Sequence, residues 1–207
     1  MAIMQVNPTR MELTRLKKRL KTATRGHKLL KDKQDELIKR FIELVRKNKE
    51  LREELESELH LAYQAFLLSS AVMSPESLEE AIMYPTQKME LKLSTKNIMS
   101  VETPVFEMEE QSGNIQYPYG FATTSGELDN AIASMQKAFG RIVELAEVEK
   151  VCQLLANEIQ KTRRRVNALE YIMIPQLQET IKFITMKLDE NERGNRVRLM
   201  KIKDMAG

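Results

Sequence analysis

The chain has 207 residues and a net charge of +3, with 30% charged residues, 5% aromatic residues and no tryptophan. This composition is typical of long helices and coiled coils and argues against a globular enzyme. A single cysteine excludes an internal disulfide, and no run of about 18 uncharged apolar residues predicts a membrane-spanning helix. With no secretory signal at the start, we expect a reducing, cytoplasmic location.

The first predicted element is a helix over about Thr9–Ser70, a stretch without proline. Its start is indicated either by Asn7 before Pro8 or by a capping box from Thr9 to Glu12. Apolar residues then recur every seven positions in two rows whose offset alternates between three and four, which predicts a coiled-coil seam. The rows are Leu16, Ala23, Leu30, Leu37, Leu44 and Leu51, and Leu13, Leu20, His27, Gln34, Phe41, Asn48, Leu55 and Ala62.

Residues 71–126, called the knob below, hold four of the six prolines. Ser74-Pro75-Glu76 predicts the start of a short helix, which should end before Pro85. The segment Glu107–Thr123 is predicted to be a loop. The knob therefore interrupts the helical pattern of the rest of the chain.

A β-hairpin is predicted inside the knob. Apolar and polar residues alternate from Met89, and the residues from Ile98 onward favour a second strand. Thr95-Lys96-Asn97 lies between the two stretches and is predicted to form the turn.

The last predicted element is a helix from about Gly126 to Lys203, introduced by a second capping-box pattern from Thr124 to Glu127. Gly140 weakens this helix, and Pro175, which lacks a backbone donor, predicts a local kink. Its apolar stripe is Leu128, Ile132, Met135, Phe139, Ile142 and Ala146, then Leu145, Val148, Cys152, Leu155, Ile159, Val166 and Leu169, then Ile174, Leu177, Ile181, Ile184 and Leu188.

Together these elements predict a mainly α fold: a long antiparallel two-helix coiled coil with a small knob that contains a short helix and a β-hairpin. The predicted domains are an N-terminal helix over 7–70, the knob over 71–126 and a C-terminal helix over 127–203. At about 1.5 Å per residue, each long helix would measure roughly 90 Å.

The charge is unevenly distributed along the chain. Thr9–Lys33 holds ten Lys and Arg against two acids, whereas Ala71–Glu127 holds nine acids against three lysines. A basic end favours an acidic partner, which could be nucleic acid, an anionic membrane or an acidic protein surface. The alternative is a solvated helix face with no partner.

Few residues are candidates for catalysis or for binding a ligand. His27, Gln34 and Asn48 occupy seam positions, where polar residues usually set the register between helices. Cys152 lies on the apolar stripe, where cysteine mostly serves packing. The single glycine near Lys28 does not form a phosphate-binding loop. We therefore expect no catalytic residue, no metal and no cofactor.

Several runs resemble the D subunit family of V/A-type rotary ATPases. The first helix does so through Asn7-Pro-Thr-Arg-Met-Glu-Leu-Thr-Arg-Leu-Lys-Lys-Arg-Leu and Thr24-Arg-Gly-His-Lys-Leu-Leu-Lys-Asp-Lys. The last helix does so through Thr162-Arg-Arg-Arg-Val-Asn-Ala-Leu-Glu-Tyr, Ile174-Pro-Gln-Leu and Glu190-Asn-Glu-Arg. The knob is similar only in outline, through Lys96-Asn-Ile-Met-Ser.

The resemblance implies a non-catalytic rotor axle. Both termini would insert into a catalytic head of alternating A and B subunits, and the F subunit would clasp the middle of the hairpin of helices. The lower end would sit on a funnel-shaped subunit above a membrane ring that carries protons or sodium ions. The chain itself would be peripheral, with no direct membrane insertion and no bound nucleic acid.

Two sets of candidate binding residues follow. The basic residues expected to contact the catalytic ring are Arg10, Arg15, Lys17, Lys18, Arg163, Arg164 and Arg165. The knob residues expected to dock on a neighbouring subunit are Met89, Leu91, Ile98, Met99 and Val101. The other classes considered are a nucleic-acid-binding or scaffolding coiled coil, which would use the basic end on phosphates, and an enzyme, for which the sequence offers no catalytic constellation.

Overall fold

The computed structural model describes residues 4–83, 89–109, 117, 119–120 and 124–206. The fold is mainly helical, with one small antiparallel sheet, so the predicted fold class is confirmed. In chain order the elements are α1 (Arg10–Val72), α2 (Pro75–Ile82), β1 (Glu90–Ile98), β2 (Val101–Glu109), α3 (Gly126–Ala168), a π-helical turn (Leu169–Met173) and α4 (Ile174–Ala206).

The chain forms two compact units. The terminal unit comprises Met1–Leu37 and Ile159–Gly207, and the central unit comprises Ile38–Glu158. Within the described ranges, no helix is both long enough and apolar enough to span a bilayer.

Side chains cap the first two helices as their sequences predict. The Glu12 N–H donates to Thr9 Oγ1 at 3.2 Å, so Thr9 rather than Asn7 caps α1. The Ser77 N–H donates to Ser74 Oγ at 3.3 Å, with Pro75 in the first turn of α2. The predicted short helix is therefore confirmed; it ends at Ile82, and Pro85 lies outside the described residues.

In the terminal unit, α1 packs antiparallel to the C-terminal helical segments. Arg10 forms an ion pair with Glu192, whereas His27, farther along α1, meets Glu170, so the partner number falls as the α1 number rises. The buried core consists of Leu16, Ala23, Leu177 and Ile184, with Met4, Leu13, Leu20, Leu169, Met173, Ile174, Ile181 and Leu188 packed around it.

In the central unit, α1 and α3 are also antiparallel. Arg52 pairs with Glu149 at 2.9 Å, Glu58 with Arg141 at 3.0 Å, and the Ser125 hydroxyl donates to Ser69 Oγ at 3.4 Å. The buried residues of this helix pair include several small ones, namely Ala62, Ser69, Ala131 and Ala138.

The seam predicted for α1 is confirmed, because every residue of its two rows is buried or half-buried. The first stripe predicted for α3 is partly wrong. Met135, Phe139 and Ala146 are exposed, while Ala131 and Ala138 are buried in their place. Small side chains allow close approach of helix axes, and the larger neighbours then lie outside the contact.

The predicted β-hairpin is confirmed, but the turn predicted at Thr95-Lys96-Asn97 is wrong. β1 and β2 pair from Glu90↔Glu109 to Ile98↔Val101, so residues 95–97 belong to β1 and residues 107–109 belong to a strand rather than a loop. Met99 and Ser100 form the two-residue turn with φ of 52° and 70°. Both values are left-handed, as a type I′ hairpin turn requires.

The irregularity expected near Pro175 takes the form of a π-helical turn. Leu169–Met173 is π-helical, and the Ile174 N–H donates to the Leu169 carbonyl, five residues earlier. Pro175 follows at once; it has no N–H to donate, and in a regular helix its ring would collide with the carbonyl of residue 171. A π turn separates these groups.

Candidate functional site

The four basic candidates on α1 surround the buried Leu16 and are all exposed. Arg10 pairs with Glu192 on α4, and Arg15 pairs with Glu12 at 3.3 Å on α1 itself. Lys17 and Lys18 have no ion pair with another described residue. Two of the four charges are therefore balanced within the chain, and two remain available to a partner.

Arg163, Arg164 and Arg165 occupy consecutive positions on α3 between two buried residues, Thr162 and Val166. All three arginines are exposed, and none of them forms an ion pair within the described part of the chain. Successive helical residues are turned by about 100°, so the three guanidinium groups spread over much of the helix surface that faces away from the seam. They form an unneutralised basic surface suited to carboxylates or carbonyls of a partner.

α4 continues for fourteen residues beyond Glu192, whereas α1 begins at Arg10, the partner of Glu192. We call this stretch, Arg193–Ala206, the α4 extension. It exposes five large apolar side chains: Val197, Leu199, Met200, Ile202 and Met205. It also carries five basic residues: Arg193, Arg196, Arg198, Lys201 and Lys203. Sequence reasoning missed this surface, although the apolar residues continuing past the last seam position, Leu188, were a signal.

The β-hairpin lies against α3 through β2. The Phe106 N–H donates to Glu147 Oε2 at 2.9 Å, and the Met108 methyl lies 3.8 Å from where a Cβ of Gly140 would stand. β1, in contrast, is exposed along Glu90–Asn97.

The predicted docking residues of the knob are therefore divided between two environments. Met89 and Leu91 are exposed, Ile98 and Met99 are half-buried at the turn, and Val101 is only 8% exposed. The most exposed apolar residue of β1 is Leu93, at 70%, which sequence reasoning did not select. Its place in the alternation from Met89 was the signal that could have identified it.

Two further polar contacts involve His27 and Tyr119. His27 lies 3.2 Å from Glu170, and the Tyr119 hydroxyl donates to Asp129 at 2.6 Å. Burial and this hydrogen bond raise the pKa of Tyr119 above its ordinary range. Burial, with a smaller effect from Glu149, raises the pKa of Cys152 and disfavours its thiolate. No group of three or more His, Cys, Asp or Glu side chains is arranged to hold a metal in the regions that the structure describes.

Comparison with known proteins shows the family. Residues 12–204 match the model of the protein family described as the ATP synthase D subunit. The chain belongs to the ATP synthase D subunit family. The resemblance found in the two long helices is therefore confirmed, and the family match also runs through the knob.

Curated members of this family match over almost the whole chain. The V-type ATP synthase D subunit of Acetivibrio thermocellus is 66% identical over 207 residues, which cover 99% of this chain and 93% of the relative. The Clostridium botulinum protein of the same name is 62% identical, with 98% and 95% covered. That of Thermoanaerobacter sp. is 58% identical, with 100% and 99% covered. All three relatives are thus similar to this D subunit in the helices and in the knob.

Proposed function

We propose that this D subunit is the central rotor shaft of a V/A-type ATPase or ATP synthase and transmits torque between a catalytic head and a membrane ring. The observation that carries the proposal is the family match over residues 12–204, which includes both long helices and the knob. The chain performs no chemistry in this role; ATP is made or hydrolysed by other subunits of the complex.

Torque transmission follows from the way the helices are joined. In the terminal unit, α1 and α4 share an apolar core, and in the central unit α1 and α3 are linked by ion pairs such as Lys47–Glu144 at 2.7 Å and Arg52–Glu149 at 2.9 Å. Twisting one helix about the other would disrupt many of these contacts together. The two helices also present different faces to three equivalent catalytic sites, so rotation would bias each site in turn towards a different conformation.

The catalytic A and B subunits are the proposed partners of the terminal unit. Lys17, Lys18 and the arginines at 163–165 offer charges that no described residue neutralises, and Arg10 and Arg15 add to the same basic end. Exposed basic residues speed and orient association more than they tighten it. The apolar residues of the α4 extension supply a surface that a ring of subunits could enclose without forming fixed polar contacts.

The central unit is proposed to contact the rest of the rotor. The F subunit would clasp the paired helices, and the funnel-shaped subunit would receive the knob, with Met89, Leu91, Ile98, Met99 and Val101 at or beside the contact. The three segments 7–70, 71–126 and 127–203 would thus correspond to the first shaft helix, the docking knob and the second shaft helix. We place the chain on the cytoplasmic side, peripheral to the membrane through the complex.

Covalent attachment to the catalytic ring tests the proposal. Lys18 is exposed on the third turn of α1, beside the buried Leu16, so it cannot swivel as a frayed end would. In a Cys152→Ala background, Lys18→Cys is paired with a cysteine on an inner loop of the ring. Oxidation should stop steady-state ATP hydrolysis, and reduction should restore it.

The matched control is a crosslink that stays within the shaft. His27→Cys and Glu170→Cys replace two side chains that meet at 3.2 Å across the helix pair and are not among the proposed ring contacts, so a short crosslink between them should leave turnover unchanged. Full activity in a completely ring-crosslinked complex would contradict rotation, because a static subunit tolerates such a bond.

A further inference from the structure

The outer edge of β2 is defined by the register of the hairpin. The two-residue turn makes Ile98 and Val101 a hydrogen-bonded pair, and such pairs alternate along antiparallel strands. Phe106, opposite Leu93, therefore falls at a position where the strands do not bond to each other. Its N–H points away from β1, towards α3.

Glu147 on α3 receives that N–H. Its Oε2 lies 2.9 Å from the Phe106 nitrogen in a partly buried contact. Glu144 and Glu149, close by on the same helix, instead pair with Lys47 and Arg52 of α1. Three carboxylates within two turns of α3 thus serve two different neighbours, and only Glu147 is bonded to the hairpin.

The contact has a second point two residues farther along β2. Met108 lies beside Gly140, which is seven residues before Glu147 and so on the same face of α3. Pro104, two residues before Phe106, has no N–H to leave unsatisfied on this edge. Along the outer edge of β2, the Phe106 N–H is thus bonded to α3 and Pro104 has no N–H to offer. The outer edge of β1 faces solvent.

We infer that Glu147 is a positioning residue, which fixes β2 on α3 so that β1 presents Leu91 and Leu93 to the subunit that receives the knob. A hydrogen bond to a charged acceptor is stronger than one between neutral groups, and here it sets the direction of the whole hairpin. The identity of the receiving subunit rests on the proposed function; the anchoring of the hairpin by Glu147 does not.

Amide hydrogen exchange on the full-length chain tests the anchoring. In wild type, the Phe106 amide should exchange at least about tenfold more slowly than the Leu93 amide, which points to solvent on the free edge. Glu147→Ala should remove this difference, and Glu147→Gln, whose amide oxygen still accepts, should keep part of it. Glu144→Ala, which loses only the pair with Lys47, should leave Phe106 protected.

Exchange of the Val105 amide distinguishes a hairpin that has moved away from α3 from a hairpin that has unfolded. Val105 opposes Ser94 at a hydrogen-bonded position, so its protection reports the hairpin itself. It should be unchanged in Glu147→Ala. Equal exchange of Phe106 and Leu93 in wild type, or joint loss of Val105 and Phe106 protection in Glu147→Ala, would overturn the inference.

Spin labels at Leu93 and Lys137, both exposed, report the direction of the hairpin relative to α3. The distance distribution should be narrow in wild type and in Glu147→Gln and broad in Glu147→Ala. In the assembled ATPase, Glu147→Ala should uncouple hydrolysis from ion transport, and Glu147→Gln should restore the coupling. If the spin labels show that the hairpin is released in Glu147→Ala and coupling is nevertheless normal, the inference that Glu147 presents β1 to the receiving subunit is wrong. The crosslink between Lys18→Cys and the ring tests the rotor function independently of this result.

Discussion

The Ile174 N–H donates to the Leu169 carbonyl across a π-helical turn, and this turn coincides with a one-residue shift in the buried rows. Leu155, Thr162 and Leu169 follow one another at intervals of seven and are buried or half-buried. Leu177 then follows Leu169 by eight, and Ile184 follows Leu177 by seven. Because a π turn accommodates one extra residue, the seam keeps facing α1 on both sides of it.

Removal of the extra residue should convert this turn into regular α-helix. Deleting Ile172, which is 65% exposed, together with Pro175→Ala should leave Leu177 and Ile184 in the seam. We expect the melting temperature to stay the same or to rise, since the missing donor and the ring collision are both removed. Thermal unfolding followed by circular dichroism, with a crystal structure of the variant, measures this.

A deletion in the regular part of α4 is the matched control. Loss of the exposed Gln178 would turn Thr180 and Ile184 by about 100° away from the seam. That variant should be severely destabilised. Equal tolerance of both deletions would show that the π turn does not set the phase of the seam.

The knob shows which features of the fold follow from sequence. The alternation from Met89 predicts a hairpin because half-buried strands require it, and the structure has one. The turn was misplaced because Met99 and Ser100 are not typical of positive φ, whereas Thr95-Lys96-Asn97 looks like a turn. Register is decided instead by burial of Val101 and Thr103 and by the contact of Phe106 with Glu147, which are tertiary interactions.

The candidate site was predictable to a similar degree. Basic residues next to seam positions, such as Lys17 beside Leu16, must face outward, and they do. The pairing of Arg10 with Glu192, 182 positions away, was not predictable because it depends on where the two helices align. The exposure of the α4 extension was unpredictable for the same reason. Its apolar periodicity predicts a contact, but only the position where α1 begins shows that the described residues do not make that contact.

Gly140→Ala should stabilise the protein. Gly140 is in the middle of α3, where glycine costs about 0.5–1 kcal/mol relative to alanine. The added methyl would meet only Met108 Cε, at an ordinary 3.8 Å. The free energy of unfolding from urea denaturation should therefore rise by about that amount.

Gly26→Ala is the control for this substitution, because nothing lies within 4 Å of the added carbon on α1. Gly26→Ala should raise the free energy of unfolding by a similar amount. A drop for Gly140→Ala alone would mean that Met108 cannot move and that the hairpin is displaced.

Tyr119 should ionise only at a pH above the range usual for tyrosine. Burial and donation to Asp129 raise its pKa, so the folded state retains this proton more strongly than the unfolded state does. The resulting stabilisation is fully present below the ordinary pKa of tyrosine and is lost as the pH rises towards the raised value. Tyr119→Phe should remove the most alkaline phase of a phenolate absorbance titration and cost about 0.5–1.5 kcal/mol at neutral pH.

Tyr63→Phe provides the comparison, since Tyr63 is 61% exposed on α1. It should leave both the most alkaline phase of the titration and the free energy of unfolding unchanged. Retention of the most alkaline phase in Tyr119→Phe would assign it to another tyrosine.

Replacement of Arg163, Arg164 and Arg165 by alanine tests the basic surface of α3. Because the three side chains are exposed and have no ion pair among the described residues, the isolated chain should keep its melting temperature; alanine also favours helix. Assembly with the catalytic ring should weaken, or ATP hydrolysis should slow. Each exposed pair is worth only about 0.2–1 kcal/mol, so single substitutions should be nearly silent while the triple variant is not.

Ionic strength separates a charge contact from an indirect effect on the fold. The loss of affinity for the catalytic ring in the triple alanine variant should be largest at low salt. It should shrink at high salt, because a Debye length of roughly 3 Å at 1 M screens the wild-type contact as well. Arg163→Lys, Arg164→Lys and Arg165→Lys together should keep the salt dependence but recover only part of the affinity, because lysine retains the charge without the two-pronged geometry that binds carboxylates. A triple alanine variant that assembles and turns over like wild type at low salt would remove these arginines from the interface. It would leave Lys17, Lys18 and the α4 extension as the surfaces through which the ring holds the shaft.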